Sequence, residues 1–297
     1  MSKENCPARK PEWLKVKFHE GGNLAEVNGL LSRYKLNTVC REAACPNRGE
    51  CYGSRTATFM ILGALCTRGC AFCAVRRGNP EPVDEDEGRR IAEVSEELGL
   101  RYVVLTSVTR DDLPDGGAGH FARVIRELKT RTQDAQVEAL VPDFQGSDEA
   151  LKTVLAAGPD VLNHNVETVP RLYPAVRPGA VYERSLRLLA RAQEIAKADG
   201  MKLKTKSGLM AGLGESEEEL TAVFRDLRAA GCDFLTVGQY LAPSPQHYPV
   251  AAYIHPDQFA DYRRYALSLG FRGVAAGPFV RSSYKAADMA GMAVGSD

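Results

Sequence analysis

The sequence predicts an α/β fold in which parallel strands alternate with helices. From residue 57 onward, short apolar runs rich in β-branched residues are separated by segments with helical periodicity. This order implies right-handed crossovers between parallel strands, as in a barrel or a doubly wound sheet. The six predicted strands begin at Thr58, Tyr102, Val137, Asp160, Lys202 and Asp233. Six strand–helix units are fewer than the eight of a closed barrel, so we expect a partial (β/α)6 barrel, left open along one side.

The clearest of the intervening helices follows the fifth predicted strand. Ser216 and Glu219 have the spacing of a capping box, which marks the start of a helix. Apolar residues then recur at the i, i+3, i+4 and i+7 spacing of one helical face. These residues are Leu220, Val223, Phe224 and Leu227.

Polar residues occupy every second position of two predicted strands. They are Asn163, Asn165, Glu167, Lys202, Lys204 and Lys206. Such groups would be costly in a dry core, so we expect them to point into the barrel, where one end forms a ligand site. Solvated edge strands are the alternative. His164 has the opposite parity and apolar neighbours, which favours a hydrogen-bonded core residue over a metal ligand.

Composition and charge exclude several classes of partner. Lys and Arg together number 38, as do Asp and Glu, with no long block of one sign, so nothing indicates binding to nucleic acid or an anionic membrane. The longest apolar stretch is shorter than the ~20 residues of a membrane span. The N-terminal residues include no apolar signal segment, which favours a cytoplasmic enzyme. We predict an N-terminal extension over residues 1–55, the barrel over 56–270 and a C-terminal extension over 271–297.

Six of the eight cysteines form two triplets of different spacing. Cys40, Cys45 and Cys51 read C-x4-C-x5-C, and Cys66, Cys70 and Cys73 read C-x3-C-x2-C. Three thiolates on one loop can hold three corners of a four-iron cluster and leave the fourth iron open. Structural zinc sites need four closed ligands, ferredoxins show a run of four cysteines, and disulfides are disfavoured in the cytosol. The two isolated cysteines, Cys6 and Cys232, are predicted to be free thiols.

The second triplet, with Phe72 before its last cysteine, resembles the signature of radical S-adenosylmethionine (SAM) enzymes. This resemblance implies a barrel of the radical SAM type and a 4Fe–4S cluster whose open iron binds SAM. It also implies that Asp115, Gly116 and Gly117 take the amine of the methionine. The candidates for the remaining SAM contacts are Asn163, Asn165, Arg177 and Lys206, since a bound carboxylate favours Arg or Lys. A structural role is the alternative for each of them.

The first triplet and its surroundings resemble the lipoyl synthase family. The shared segments include AACPNRGEC, TSVTRDDLPDGGAGHFA, LNHNVET, VRPGA, TKSGLM, GQYL and GPFVRSSY. The resemblance implies that the first triplet binds an auxiliary 4Fe–4S cluster, with Ser283 as the fourth ligand and Ser282 as the less favoured choice. It further implies sulfur insertion at carbons six and eight of a protein-bound octanoyl-lysine, with the auxiliary cluster as the sulfur donor.

The same resemblance implies three kinds of protein partner. They are octanoylated carrier domains (2-oxoacid dehydrogenase acyltransferase subunits and the glycine cleavage H protein), a low-potential electron donor such as ferredoxin or flavodoxin, and an iron–sulfur carrier protein. Two alternatives stay open at this point. One is another two-cluster radical SAM sulfurtransferase, such as a methylthiotransferase or a biotin synthase-like enzyme. The other is a non-enzymatic iron–sulfur scaffold or electron carrier, which would not need a barrel.

Overall fold

A computed structural model describes residues 9–15, 23–43, 45–53 and 58–291 of the chain. The predicted free thiol Cys6 lies outside these residues, whereas Cys232 is a buried free cysteine, as expected. Within the described ranges, no disulfide links any of the seven cysteines, and no helix has the length and apolar character needed to cross a membrane.

The core of the fold is one sheet of seven parallel strands, in which the spatial order of the strands follows their order in the chain. The strands are β1 (Thr58–Ile61), β4 (Tyr102–Ser107), β5 (Gln136–Leu140), β6 (Val161–Asn163), β7 (Lys204–Ala211), β8 (Phe234–Gln239) and β9 (Gly273–Gly277). Among the described residues, no pairing joins β1 to β9, so the sheet is an incomplete barrel. A separate pair of short strands, β2 (Leu65–Cys66) and β3 (Arg76–Arg77), follows β1. The predicted α/β fold with a partial, open barrel is confirmed.

Helices cover the outside of the sheet and connect its strands. The connecting helices are α4 (Glu87–Glu97), α5 (Ala118–Arg131), α6 (Asp148–Leu155), α7 (Tyr173–Val176), α8 (Tyr182–Ala198), α9 (Glu217–Ala229) and α10 (Pro256–Ser268). Helix α9 begins with the predicted capping box, because Ser216 accepts from the Glu219 N–H and the Glu219 side chain accepts from the Ser216 N–H. Its predicted apolar face is buried. The spacing of the apolar residues therefore predicted the buried face of α9 correctly.

The sheet has one strand more than the six predicted units. Strand β9 pairs with β8 from Phe234↔Gly273 to Gly238↔Gly277, so the sheet ends at Gly277 and not at the predicted boundary of residue 270. The sequence GVAAG carries one β-branched residue and no large apolar side chain, which leaves little strand signal to detect. The segment that leaves the barrel therefore begins after β9, and it contains the short helix α11 (Ala286–Met289).

The two terminal segments meet across the unpaired edges of the sheet. Before β1 lie α1 (Asn23–Arg33), α2 (Val39–Glu42) and α3 (Arg48–Gly53), and the Asn37 carbonyl accepts from the Met60 N–H on β1 at 2.9 Å. The Asn47 side chain donates to the Phe279 carbonyl at 2.7 Å, and the Tyr284 hydroxyl donates to Glu50 at 2.9 Å. These contacts join the first cysteine triplet to the chain that follows β9.

Candidate functional site

The second cysteine triplet lies on the loop after β1 and is attached to the loop after β4. The Thr109 N–H donates to Cys66 Sγ at 3.3 Å, and the Thr67 hydroxyl donates to the Thr109 carbonyl at 3.0 Å. His247, from the loop after β8, has Nε2 at 3.1 Å from the Cys73 carbonyl oxygen. The triplet is therefore held between chain segments that follow three different strands.

Arg68 fixes the middle of this loop to the sheet. Its guanidinium donates to both carboxylate oxygens of Asp111, at 2.6 and 2.9 Å, and to Asp143 at 2.7 Å. Arg184 also donates to Asp143, at 3.0 Å. Burial by itself would raise the pKa of Asp143, but the hydrogen bonds from Arg68 and Arg184 outweigh it and hold the pKa at about 2. A bidentate arginine–carboxylate pair fixes direction as well as distance, so the loop has a defined position.

Each triplet supplies the donors that a cluster with one open corner requires. Burial raises the pKa of Cys73 to about 12 and also raises that of Cys70, and neighbouring thiols of the triplet add to both shifts. In the first triplet, burial raises the pKa of Cys40 to about 11 and that of Cys51 to about 12, again with a contribution from the other thiols. Thiols must lose their protons to bind iron, so a cluster assembled on such thiols would release protons.

The cysteines of each triplet therefore lie close enough to influence one another electrostatically. Within the part of the chain that the structure describes, no three His, Cys, Asp or Glu side chains form a group tight enough for a single metal ion. The fit to a cluster rests on the donor set, which is three thiols in each of two chain segments. Soft thiolates are the usual ligands of iron–sulfur clusters.

A polar cavity of about 130 Å³ opens beside the second triplet, at the carboxyl ends of β4, β5 and β6. Active sites of barrel enzymes form at this end of the strands. The cavity is lined by Thr106, Ser107, Thr109, Leu140, Val141, Pro142, His164, Asn165, Glu167 and Arg177. Two of the predicted SAM contacts, Asn165 and Arg177, are among these residues. Because Thr109 also donates to Cys66, the cavity and the triplet share a wall.

The polar groups of the cavity are arranged around Arg177. One of its nitrogens, Nη1, donates to the carbonyl oxygens of Asn165 and Val166, each at 3.0 Å, while the buried Nε has no hydrogen-bond partner among the described residues. Burial raises the pKa of Glu167, and the charge of Arg177 opposes this rise. Glu167 has a positive φ of 64°, an uncommon backbone conformation that is concentrated at functional sites.

Two more buried polar atoms near the cavity lack hydrogen-bond partners in the described part of the chain. Within the described ranges, Ser107 Oγ and Asn165 Oδ1 are buried without a hydrogen-bond partner. Buried polar atoms are normally paired in proteins, so unpaired atoms around one cavity indicate a missing polar ligand. A ligand carrying an amine, a carboxylate and hydroxyl groups would satisfy this donor and acceptor set.

Asn163 and Lys206 are not among the residues that line the cavity. Both lie deeper in the barrel, where Glu138 accepts from Asn163 at 2.7 Å, from Lys206 at 3.0 Å and from the Tyr102 hydroxyl at 2.7 Å. Lys206 is 1% exposed. The prediction that the period-two polar residues point into the barrel agrees with this network for Asn163 and Lys206. It is wrong for Lys202, which is exposed and precedes β7. The alternative of solvated edge strands is wrong, because β6 and β7 each have a neighbouring strand on both sides. His164 is buried between the Val141 carbonyl and the Ser185 hydroxyl, as predicted for a core histidine.

The glycine-rich stretch after β4 forms the start of α5 and also does not line the cavity. Asp115 accepts from the N–H groups of Gly117 and Gly119, at 2.8 and 2.7 Å. Gly117 has a φ of +89°, and a Cβ at this position would lie 2.4 Å from Leu62 Cδ1. The visible role of Asp115, Gly116 and Gly117 is therefore to cap α5 and to pack against the residue that follows β1.

The first triplet is built on the two short helices before β1, with Cys40 on α2 and Cys51 on α3. Cys45 lies between them, and its N–H donates to the Cys40 carbonyl at 3.3 Å. The half-buried Arg281 lies within electrostatic reach of Cys45, and the Tyr284 hydroxyl donates to Glu50, which is next to Cys51. The RSSY segment therefore lies beside this triplet.

The two serines of the RSSY segment have different surroundings. Ser282 Oγ accepts from Asn165 Nδ2 at 3.0 Å, so its hydroxyl is engaged at the cavity. Within the described ranges, the Ser283 hydroxyl has no hydrogen-bond partner and is available. The hydrogen bond of Ser282 also connects the cavity directly to the segment beside the first triplet.

Sequence reasoning missed four residues that shape the site. Glu167 was recognised as a polar residue of the inward parity but not as part of the cavity. Arg68 lies inside the second triplet, and its partners Asp111 and Asp143 come from the loops after β4 and β5. The acidic residues after two consecutive strands were the available signal, because the carboxyl ends of parallel strands share one edge of a sheet.

Comparison with known proteins gives the same picture. A family model described as the radical SAM superfamily matches residues 60–227. Lipoyl synthase from Alkaliphilus metalliredigens is 55% identical over 280 residues, covering 94% of this chain and 95% of the relative. Lipoyl synthase from Caldanaerobacter subterraneus subsp. tengcongensis is 58% identical over 278 residues, covering 94% and 96%.

Among solved structures, methylornithine synthase aligns with a TM-score of 0.57 and 15% identity, over 87% of this chain and 75% of that chain. The hydrogenase maturase HydG aligns with a TM-score of 0.56 and 16% identity, over 72% and 50%. At such low identity these structures establish the fold alone. The family model and the curated relatives together show that the chain belongs to the lipoyl synthase family of the radical SAM superfamily.

Proposed function

We propose that the chain converts a protein-bound octanoyl-lysine into lipoyl-lysine by inserting sulfur at carbons six and eight. The observation that carries this proposal is the connection of two thiol triplets through one polar cavity, made by the hydrogen bond between Asn165 and Ser282. A reaction that breaks a C–H bond at one centre and delivers sulfur from another needs both centres at the same substrate.

The second triplet and the cavity bind the radical-generating components. Cys66, Cys70 and Cys73 hold a 4Fe–4S cluster, and the cavity takes SAM. Together with the auxiliary cluster, these groups supply an electron that cleaves SAM, a radical that removes hydrogen from unactivated carbon, and sulfide for the product. Arg177 suits the carboxylate of SAM, because its Nε is buried without a partner among the described residues. Asn165 and Glu167 suit its amine or ribose hydroxyls, and the surrounding burial excludes water from the reacting carbon.

The first triplet and the RSSY segment bind the auxiliary cluster. Cys40, Cys45 and Cys51 supply three ligands, and Ser283 supplies the fourth. Ser282 is disfavoured as the ligand because its hydroxyl is engaged by Asn165. The auxiliary cluster is the sulfur donor, so the chain carries two 4Fe–4S clusters. For Asp115, Gly116, Gly117, Asn163 and Lys206, the visible contacts favour support of the barrel over contact with SAM.

The proposed partners follow from this reaction. The octanoyl group arrives on a carrier domain, such as a 2-oxoacid dehydrogenase acyltransferase subunit or the glycine cleavage H protein. A ferredoxin or flavodoxin supplies electrons, and an iron–sulfur carrier protein replaces the consumed cluster. We further propose that the protein acts in the cytoplasm.

The test separates SAM cleavage from sulfur insertion. Anaerobically reconstituted protein is incubated with SAM, dithionite and an octanoyl-lysine peptide, and both 5′-deoxyadenosine and the thiolated peptide are measured by mass spectrometry. Cys66→Ala should abolish both products, because the loss of one thiolate opens a second corner of its cluster. Cys45→Ala should retain cleavage of SAM but form no lipoyl peptide. Cys232→Ala, at a buried cysteine outside both triplets, is the matched control and should form both products.

Two outcomes would contradict the proposal. Formation of lipoyl peptide by Cys45→Ala would show that the first triplet does not supply the sulfur. Sulfur transfer by the wild-type protein to another acceptor, but never to the octanoyl peptide, would favour a different two-cluster radical SAM sulfurtransferase.

A further inference from the structure

The chain that follows β9 lies directly on the backbone of β8 at Gly238. A Cβ at position 238 would be 2.1 Å from the Val280 carbonyl oxygen and 3.1 Å from its carbonyl carbon. Both atoms belong to the backbone, so rotation of a side chain could not relieve the contact. Gly238 is also paired with Met210 on one side and with Gly277 on the other, which leaves β8 no freedom to withdraw. Only glycine allows the turn over residues 278–281 to occupy this position.

A second contact holds the same segment from the cavity side. Ser282 Oγ accepts from Asn165 Nδ2 at 3.0 Å, and Asn165 is itself oriented by a further hydrogen bond to Glu167, also at 3.0 Å. Between the two supports, Arg281 Nη1 donates to the Val280 carbonyl at 2.6 Å, which stiffens the turn. Position 283 therefore follows a segment that is fixed to β8 on one side and to the cavity on the other.

We propose that Gly238 and Ser282 are positioning residues that place the Ser283 hydroxyl at the auxiliary cluster. This inference rests on the proposed function, since it takes Ser283 as the fourth ligand. Gly238 acts by providing room for the Val280 carbonyl, and Ser282 acts through its hydrogen bond to Asn165. Neither residue touches the substrate or supplies a ligand. The inference also gives the two consecutive serines separate roles, one in positioning and one in binding iron.

Gly238→Ala is the first test, with Gly277→Ala as its matched control. Gly277 lies one strand away under the same turn, but a Cβ there would be 3.4 Å from Val280 Cγ2, which is an ordinary contact. Iron and sulfide should fall from about eight atoms of each per chain to about four in reconstituted Gly238→Ala, because the auxiliary cluster is lost while the radical cluster remains. The 5′-deoxyadenosine formed should stay within about twofold of wild type, and lipoyl peptide should fall at least tenfold. Gly277→Ala should retain both clusters.

Ser282→Ala is the second test. It removes a hydroxyl group and introduces no steric overlap. The auxiliary cluster should lose iron to a chelator roughly threefold faster than in wild type, as expected from the loss of one hydrogen bond. The ratio of lipoyl peptide to 5′-deoxyadenosine should fall by a similar factor. Ser268→Ala, which removes an exposed hydroxyl at the end of α10, is the control and should match wild type.

A full complement of iron with wild-type chelator resistance in both Gly238→Ala and Ser282→Ala overturns the inference. If Gly238→Ala fails to fold by circular dichroism, Ser282→Ala alone decides. Iron loss confined to the auxiliary cluster supports the inference even if no octanoyl peptide is thiolated, because that second result would contradict the proposed function and not the positioning of Ser283.

Discussion

Asn163 and Asn165 are the same residue type and only two positions apart, yet they serve different parts of the molecule. Asn163 is the last residue of β6 and donates to Glu138 inside the barrel, whereas Asn165 lies beyond the strand end and donates to Glu167 and Ser282. An extended chain rises about 3.3 Å per residue. Two positions are therefore enough to move a side chain from the interior of the barrel to its open end. At the residue scale, height along the barrel decides function.

His164, between these two asparagines, provides a pH-dependent test of the site. The neutral ring satisfies both partners, with Nδ1 donating to Val141 and Nε2 accepting from Ser185. Burial lowers its pKa from 6.5 to about 4, assisted by the charge of Arg177. Between these values the unfolded chain binds a proton and the folded chain does not, so the free energy of unfolding falls as the pH falls.

His164→Gln should remove this dependence, since glutamine does not titrate. Between pH 7.5 and 5.5, wild-type protein should lose about 1 kcal/mol more stability than the variant, although the variant should be the less stable at pH 7.5. Urea unfolding at both pH values measures the difference. Equal losses in the two proteins would show that His164 is not kept neutral by burial.

Ser283→Cys tests the nature of the proposed fourth ligand. A serine oxygen is a harder donor than the three thiolates beside it, so it should be the most easily displaced ligand of the auxiliary cluster. The cysteine variant should assemble an auxiliary cluster at least as resistant to chelators as wild type, yet form lipoyl peptide at least tenfold more slowly. Formation of 5′-deoxyadenosine should continue. If Ser283→Cys forms lipoyl peptide at the wild-type rate, the residue at position 283 does not have to leave the cluster during sulfur transfer.

At the scale of elements, the start of α5 shows how one glycine joins a helix to a strand. The N-cap residue of α5 is Gly117, in the left-handed conformation and pressed against Leu62. Leu62 itself has a positive φ of 69°, and its N–H donates to the buried Glu87 at 2.9 Å. The residue directly after β1, from which the second triplet continues, is therefore held by both α4 and α5.

Gly117→Ala should destabilise the protein more than Gly99→Ala does. Both glycines have positive φ, but a Cβ at position 99 meets nothing within 4 Å, whereas one at position 117 would overlap Leu62. Gly99→Ala should therefore cost only the conformational strain of about 1 kcal/mol. Gly117→Ala should cost about 1–3 kcal/mol more because of overpacking, as measured by urea unfolding. Equal costs would show that the Leu62 contact relaxes freely.

At the scale of the whole molecule, one buried polar network connects four neighbouring strands. Tyr102 on β4, Glu138 on β5, Asn163 on β6 and Lys206 on β7 all meet at the Glu138 carboxylate. Lys206 and Glu138 are 1% and 0% exposed, so each charge relies on the other. Such a pair adds little stability compared with apolar residues but is costly to break.

Lys206→Met should destabilise the protein by about 3–5 kcal/mol, because Glu138 would be left buried without its counter-ion. The double variant Lys206→Met with Glu138→Gln should recover part of this loss, since glutamine carries no charge. Its amide oxygen can accept from Asn163, and its amide NH2 can donate to the Tyr102 hydroxyl oxygen. Urea unfolding measures both variants. The KM for SAM, taken from 5′-deoxyadenosine formation, should be unchanged in the double variant, and a large increase would instead indicate direct contact between Lys206 and SAM.

The sequence by itself determined the features that are written in neighbouring residues. The alternation of strands and helices, the capping box of α9 and the two cysteine triplets all depend on spacings of a few positions, where chain geometry links pattern to structure directly. The inward parity of the polar residues on β6 and β7 follows from the two-residue period of a strand.

Only the tertiary structure decided which of those residues act together. Asn165 and Ser282 are 117 positions apart, and their hydrogen bond exists because the chain after β9 turns back over β8. The same turn brings the Val280 carbonyl against position 238, where only glycine fits. It also places Ser282, and not Ser283, in hydrogen-bond contact with Asn165. Strand β9 became visible only through its pairing with β8, since its small residues carry little signal of their own. Contacts between distant segments depend on the packing of the whole sheet, and no local spacing encodes them.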